Sequence, residues 1–173
     1  MNKLWNILGI VTGLISCLGI TTVGSFQETV LLPIHALGAA MVFGSGSLYL
    51  LIQTKITFDV RHIYIKNPDY GIGPKTLYLR IITAICFACF YTVASVCAFV
   101  ALMKFSGTTI IWWTEEHAGY NEHLAAAIAE WAMVASFLVY LYTFTYEFKS
   151  LEFEEVTMKT REVAKSKSNE ELP

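Results

Sequence analysis

The sequence predicts an all-α, polytopic integral membrane protein folded as a four-transmembrane-helix bundle, and three observations carry that prediction. Of the 173 residues, 55% are hydrophobic and only 15% charged, whereas soluble domains carry roughly 25% charged residues. Long stretches poor in charge cover 4–27, 29–54, 77–103 and 123–147. Each exceeds the ~20 residues that cross ~30 Å of hydrocarbon, and continuous apolar runs of this kind form helices, not the short alternating strands of a membrane barrel. The third observation is where the cations lie. Lys3, four residues between the second and third runs with Arg80 at the start of the third, and five after the fourth make 11 of the 12 Lys and Arg, and Lys104 alone falls on the other side. By the positive-inside rule, both termini face the cytosol and four spans alternate correctly between them.

The first run, 4–27, begins after Met1-Asn2-Lys3 and has a competing reading as a secretory signal peptide. Its apolar length is about twice that of such a leader, which favours a retained span. Small residues recur four apart on each run: Gly9, Gly13 and Cys17; Ala36, Ala40 and Gly44; Ala84 and Ala88; Ala125 and Ala129. Faces of this kind let helix backbones approach closely, within one bundle or across a dimer. The four cysteines, Cys17, Cys86, Cys89 and Cys97, all lie in apolar runs and read as small packing residues.

The second loop carries Lys55, Arg61, Lys66, Lys75 and Arg80 against Asp59 and Asp69, with turn signals at Asn67-Pro68 and Gly73-Pro74. These five cations fix topology and are candidate contacts for anionic lipids at the cytosolic face. In the third loop, Trp112 and Trp113 are candidate interfacial anchors. Glu115, Glu116, His117, Glu122 and His123 cluster nearby, but their order matches no metal-ligand pattern. The bundle is assigned to 1–149, and 150–173 reads as a mixed-charge cytosolic tail too poor in apolar residues to fold alone.

Away from their ends, the apolar runs hold two ionisable side chains, His35 and Glu130. At 1.5 Å per residue they sit about 9 Å from Thr29 and about 10 Å from His123, matching depths from the same membrane face. An ionisable group there is costly, so it requires a partner or a proton. The expectation is an intramembrane polar pair, serving either as structural glue or as a proton-responsive switch. No catalytic elbow, zinc-protease motif or phosphate loop is present, so no catalytic residue, metal or cofactor is assigned. A net charge of −2 argues against a nucleic-acid partner. The partners to expect are the bilayer, anionic lipids, and a membrane protein or a second copy of the chain.

The segments SCLGITTVGSFQET, HALGAAMVFGSGSLYLLIQT and EHLAAAIAEWAMVASFLVYLYTFTYEF carry a resemblance. With Ser16-Cys17-Leu18-Gly19, Phe26-Gln27, His35, Gly38, Phe43 to Tyr49 and Ala129-Glu130-Trp131, the chain resembles the damage-regulated autophagy modulator family. It looks like the last four of that family's spans, the first two being missing. The resemblance implies a non-enzymatic, multi-pass protein of lysosomal or other endomembranes that regulates autophagy and lysosome function. The alternative is a lipid- or solute-handling membrane protein, transporter-like or lipid-modifying, that uses Glu130 and His35 inside the bundle.

Overall fold

The computed structural model describes residues 3–66, 73–107 and 110–149, leaving aside the side chain of Tyr64. The tail assigned from 150 onward lies outside these residues. All regular structure among them is helical: α1 (Lys3–Ser25), α2 (Glu28–Ala39), a π-helical segment (Ala40–Gly44), α3 (Ser45–Lys66), α4 (Pro74–Lys104), a 3-10 turn (Ile110–Trp112), α5 (Tyr120–Tyr142) and the short α6 (Thr145–Phe148). Among the described residues four helical stretches are long and apolar enough to cross a membrane: Lys3–Ser25, Glu28–Ile63, Pro74–Lys104 and Tyr120–Phe148.

Less than a quarter of each apolar stretch is buried inside the protein. Leu14, Leu18, Ile85, Phe99, Ile128 and Trp131 all point outward, Trp131 with 77% of its surface exposed. Water does not tolerate a continuous apolar exterior of this extent, so lipid is the solvent of these faces. The interior is narrow. Leu50, Ala84, Phe87, Met133 and Tyr140 form its buried core, ringed by Phe43, Tyr49, Phe90, Tyr91, Phe137 and Phe144. The Phe87 ring lies 6.4 Å from that of Phe43 and 5.8 Å from that of Phe137, in the tilted geometry aromatic quadrupoles favour.

Helix α4 packs chiefly on α5, and α1 packs on α2, the π segment and α3, while α3 joins the two groups by lying against α4. The α1 packing follows its small residues. A methyl group on Gly9 would meet Gln53 and Ile52, and one on Gly13 would meet Tyr49. The stripe then departs from the spacing of four, because Cys17 is exposed while Ser16 and Gly19 are buried. These glycines serve packing between helices of one chain.

The second crossing is irregular for identifiable reasons. Pro33 lacks an amide hydrogen and crowds the preceding turn, and Leu31 leaves helical geometry at φ −133°, ψ 58°. Further on, the ladder widens into the π-helical segment, a feature that often marks functional positions. Ser16 of α1 donates to the carbonyl of Val42 in that segment at 3.0 Å, and Ser45 donates to the carbonyl of Met41. The cross-helix bond from Ser16 gives the loosened backbone an acceptor interaction outside its own ladder.

Helix α3 continues to Lys66, well past the end of the apolar run at 54, because Thr57 buries itself in the bundle and Lys55 pairs with Asp59 one turn on. At 1.5 Å per residue the stretches Glu28–Ile63 and Pro74–Lys104 are roughly 54 Å and 46 Å long, more than the hydrocarbon thickness. At the opposite end Gly119 begins α5 with φ +86°, and a methyl group on it would lie 2.7 Å from the carbonyl oxygen of Ala101. Gly119→Ala is therefore expected to destabilise the bundle by about 2 kcal/mol, read as a lowered thermal midpoint of the purified protein.

Candidate functional site

A crevice of about 230 Å³ opens between α2, α4 and α5. Glu28, His35 and Glu130 line it, together with Tyr91, Ser95 and a majority of apolar side chains. The kink at Leu31 and the π segment shape its α2 wall, to which Ala40 and Phe43 contribute. Two residues expected as an intramembrane pair thus reach the same space. They are not bonded to each other: His35 Nδ1 lies 2.8 Å from the carbonyl oxygen of Phe26. A carbonyl only accepts, so this nitrogen carries the hydrogen and Nε2 of a neutral ring is left as an acceptor. Glu130 is accessible at the surface, and Glu28, His35 and His123 lie within electrostatic reach of its carboxylate.

A second polar centre lies near the end where α3 finishes and α4 begins. Arg80 is only 1% exposed. Its Nε donates to Thr143 Oγ1 at 2.8 Å, and its Nη1 donates to Thr57 Oγ1 at 2.7 Å and to Glu147 Oε1 at 2.9 Å. The guanidinium carbon lies 4.5 Å from the centre of the Phe144 ring and 5.7 Å from that of Tyr140, within cation–π range. Tyr140 closes the network by donating to the carbonyl of Leu50 at 3.1 Å, with Thr54 Oγ1 3.0 Å from its hydroxyl. Side chains of α3, α4, α5 and α6 are thereby tied at one point. Tyr140→Phe keeps the ring and removes these bonds, so a loss of about 1 kcal/mol in unfolding free energy is expected from equilibrium denaturation.

The expectation that His35 and Glu130 are the only ionisable side chains within the apolar runs is thus incomplete, since Arg80 and Glu147 also belong to the bundle. The sequence groups Arg80 with the cations of the second loop. Its burial and its bonds to three partners withdraw it from a lipid-facing role. Lys55, Arg61, Lys66 and Lys75 are exposed, and Arg61 stacks over Phe58 at 3.7 Å from the ring centre. The signal for Arg80 was present: it stands between Leu79 and Ile81, and Glu147 stands within the aromatic end of the fourth run.

The two tryptophans of the third loop part company. Trp112 is 73% exposed, while Trp113 stacks on His123 with ring centres 4.4 Å apart and planes 9° apart. Phe105 also packs on Trp113 at 4.4 Å. The acidic and histidine cluster nearby is occupied in other ways. Glu122 pairs with Lys104, and His117 Nδ1 accepts from the backbone amide of Thr114 at 3.1 Å. Among the described residues no three His, Cys, Asp or Glu side chains converge as a metal site.

Fold and site together define a class: a four-span helical membrane protein with one charged clasp inside the bundle and one acid-lined crevice. The Frag1/DRAM/Sfk1/Cwh43P N-terminal domain matches residues 1–151, and the chain belongs to this family. It is 30% identical over 149 residues to DNA damage-regulated autophagy modulator protein 2 of Homo sapiens, covering 84% of this chain and 53% of that protein. With DNA damage-regulated autophagy modulator protein 1 of Homo sapiens it shares 27% identity over 148 residues, 85% of this chain and 57% of the relative. It is also 30% identical over 153 residues to the modulator of macroautophagy TMEM150B of Danio rerio, covering 88% of this chain and 54% of the relative. The chain spans about half the length of these relatives. No solved structure matches it.

Proposed function

We propose that this chain is a multi-pass endomembrane protein that modulates autophagy without catalysing a reaction, resident in lysosomal or other endomembranes with both termini in the cytosol. One observation carries the reading: the family domain extends over 1–151, and with it the whole described bundle, and relatives matched over most of that length are named as autophagy modulators. The one-sided distribution of Lys and Arg supports the orientation. Expression of the tagged chain in cells lacking their own copy should change the lysosomal turnover of a lipidated autophagosome marker, with the protein on internal membranes. Unchanged turnover at matched expression would overturn the proposal.

A second reading, lipid or solute handling, is favoured by the crevice. An intramembrane carboxylate is a functional candidate by default, and no hydrogen bond or ion pair engages Glu130 among the described residues. In a bundle where Glu130 served only as glue, it would be enclosed and bonded. Handling of a membrane molecule and modulation of autophagy are compatible, the first being a means to the second.

A further inference from the structure

We propose that the crevice binds a membrane amphiphile carrying a primary ammonium head on a single aliphatic chain. Its polar lining is dominated by hydrogen-bond acceptors. Ionised Glu28 and Glu130 accept only, and His35, with Nδ1 committed to the carbonyl of Phe26, offers Nε2 as a further acceptor in its neutral form. No Lys or Arg lines the space. Glu28 at the end of the span and Glu130 within it face one crevice; the intramembrane carboxylate is costly to keep ionised, and an ammonium group with three donors can bond both.

The rest of the lining selects an amphiphile over a bare ion. A hard divalent cation takes six or more oxygen ligands, whereas beyond its two carboxylates this crevice is walled mainly by Leu32, Ala39, Phe43, Ala98, Leu102 and Met133. Phe43 also lines an adjoining half-open cavity of about 380 Å³ bordered by Ser16, Ile20, Val42, Phe87 and Phe137 among others. That cavity is almost wholly apolar. The head sits between Glu28 and Glu130, and the aliphatic chain passes Phe43 into the second space.

The inference rests on the shape and chemistry of the crevice and not on the autophagy reading, so the test is made on purified protein. The full chain in phosphatidylcholine nanodiscs is exposed to a dodecylamine bearing a mid-chain diazirine, and to the matching alcohol and carboxylate, at equal bilayer concentrations. After photolysis, adducts are mapped by mass spectrometry. The amine is expected to label peptides that carry Phe43, Phe87 and Phe137 about tenfold more than the alcohol, the gain given by one charge-assisted bond. Glu130→Gln should bring the amine down to the level of the alcohol, whereas Glu122→Gln, outside the crevice, should leave labelling unchanged. Unlabelled dodecylamine, but not dodecanol, should displace the probe from the unsubstituted protein, a result independent of whether any variant folds. Equal labelling by amine and alcohol, preference for the carboxylate, adducts confined to outward residues such as Trp131, or displacement by dodecanol would each overturn the proposal. None of these outcomes bears on autophagic turnover in cells.

Discussion

Glu147→Ala is expected to destabilise the bundle by about 3 kcal/mol, because it leaves a buried guanidinium without its counter-charge. Arg80 is 1% exposed and its partner Glu147 carries a 27% exposed side chain, which places the effect at the low end of the range for broken buried pairs. Thr57 and Thr143 still accept from Arg80 in the variant, but they bring no charge. Arg80→Met replaces the cation with an apolar side chain that still packs on Phe144 and Tyr140. The double variant Arg80→Met, Glu147→Ala should therefore cost less than the two single changes added together, by at least about 1 kcal/mol. Unfolding of the purified protein in mixed micelles by increasing sodium dodecyl sulfate reads all three. Additive losses would mean that the pair contributes nothing as a pair.

The second large effect is expected at Gly19. A methyl group there would lie 2.6 Å from the backbone nitrogen of Val42 and 2.8 Å from the carbonyl oxygen of Gly38. Both neighbours are backbone, so no side chain can turn away. The helices themselves must separate, and Gly19→Ala should cost about 2–3 kcal/mol. Separation also lengthens the 3.0 Å bond from Ser16 to the carbonyl of Val42, inside the π-helical segment that forms part of the crevice wall. Gly24, where nothing lies within 4 Å of an added methyl group, is the control: Gly24→Ala should be neutral or slightly stabilising, since alanine is the better helix former.

Much of the architecture is legible in the sequence because lipid imposes simple rules. A run of apolar residues longer than the hydrocarbon layer has few alternatives to a helix, and four such runs become the four spanning stretches. The interior is harder to read, since outward and inward faces are both apolar and a helical period leaves little contrast between them. Hence the spacing of four chose Cys17, while the chain buries Ser16 and Gly19. Composition marked His35 and Glu130 by their isolation, and the structure places both on one crevice. It gave no hint of Glu28 as their neighbour, because that depends on how the chain enters α2 around the kink at Leu31. Arg80 was hidden for the opposite reason. It borders a loop full of cations, and only the packing of Thr57, Thr143 and Glu147 around it separates it from them.

The clasp and the crevice differ in how their charged groups are held. Arg80 and Glu147 have bonded partners in several helices. Glu130 has none among the described residues, and on the proposed reading the crevice is where function lies. Its substitution should therefore spare folding and impair activity, the reverse of what is expected for Glu147.

Cells lacking their own copy and supplied with either the unsubstituted chain or Glu130→Gln, at equal membrane abundance, give the most direct test. The unsubstituted chain is expected to restore lysosomal turnover of the lipidated autophagosome marker, while Glu130→Gln reaches the same membranes and leaves turnover at the level of cells without the chain. Turnover restored equally by Glu130→Gln would contradict it.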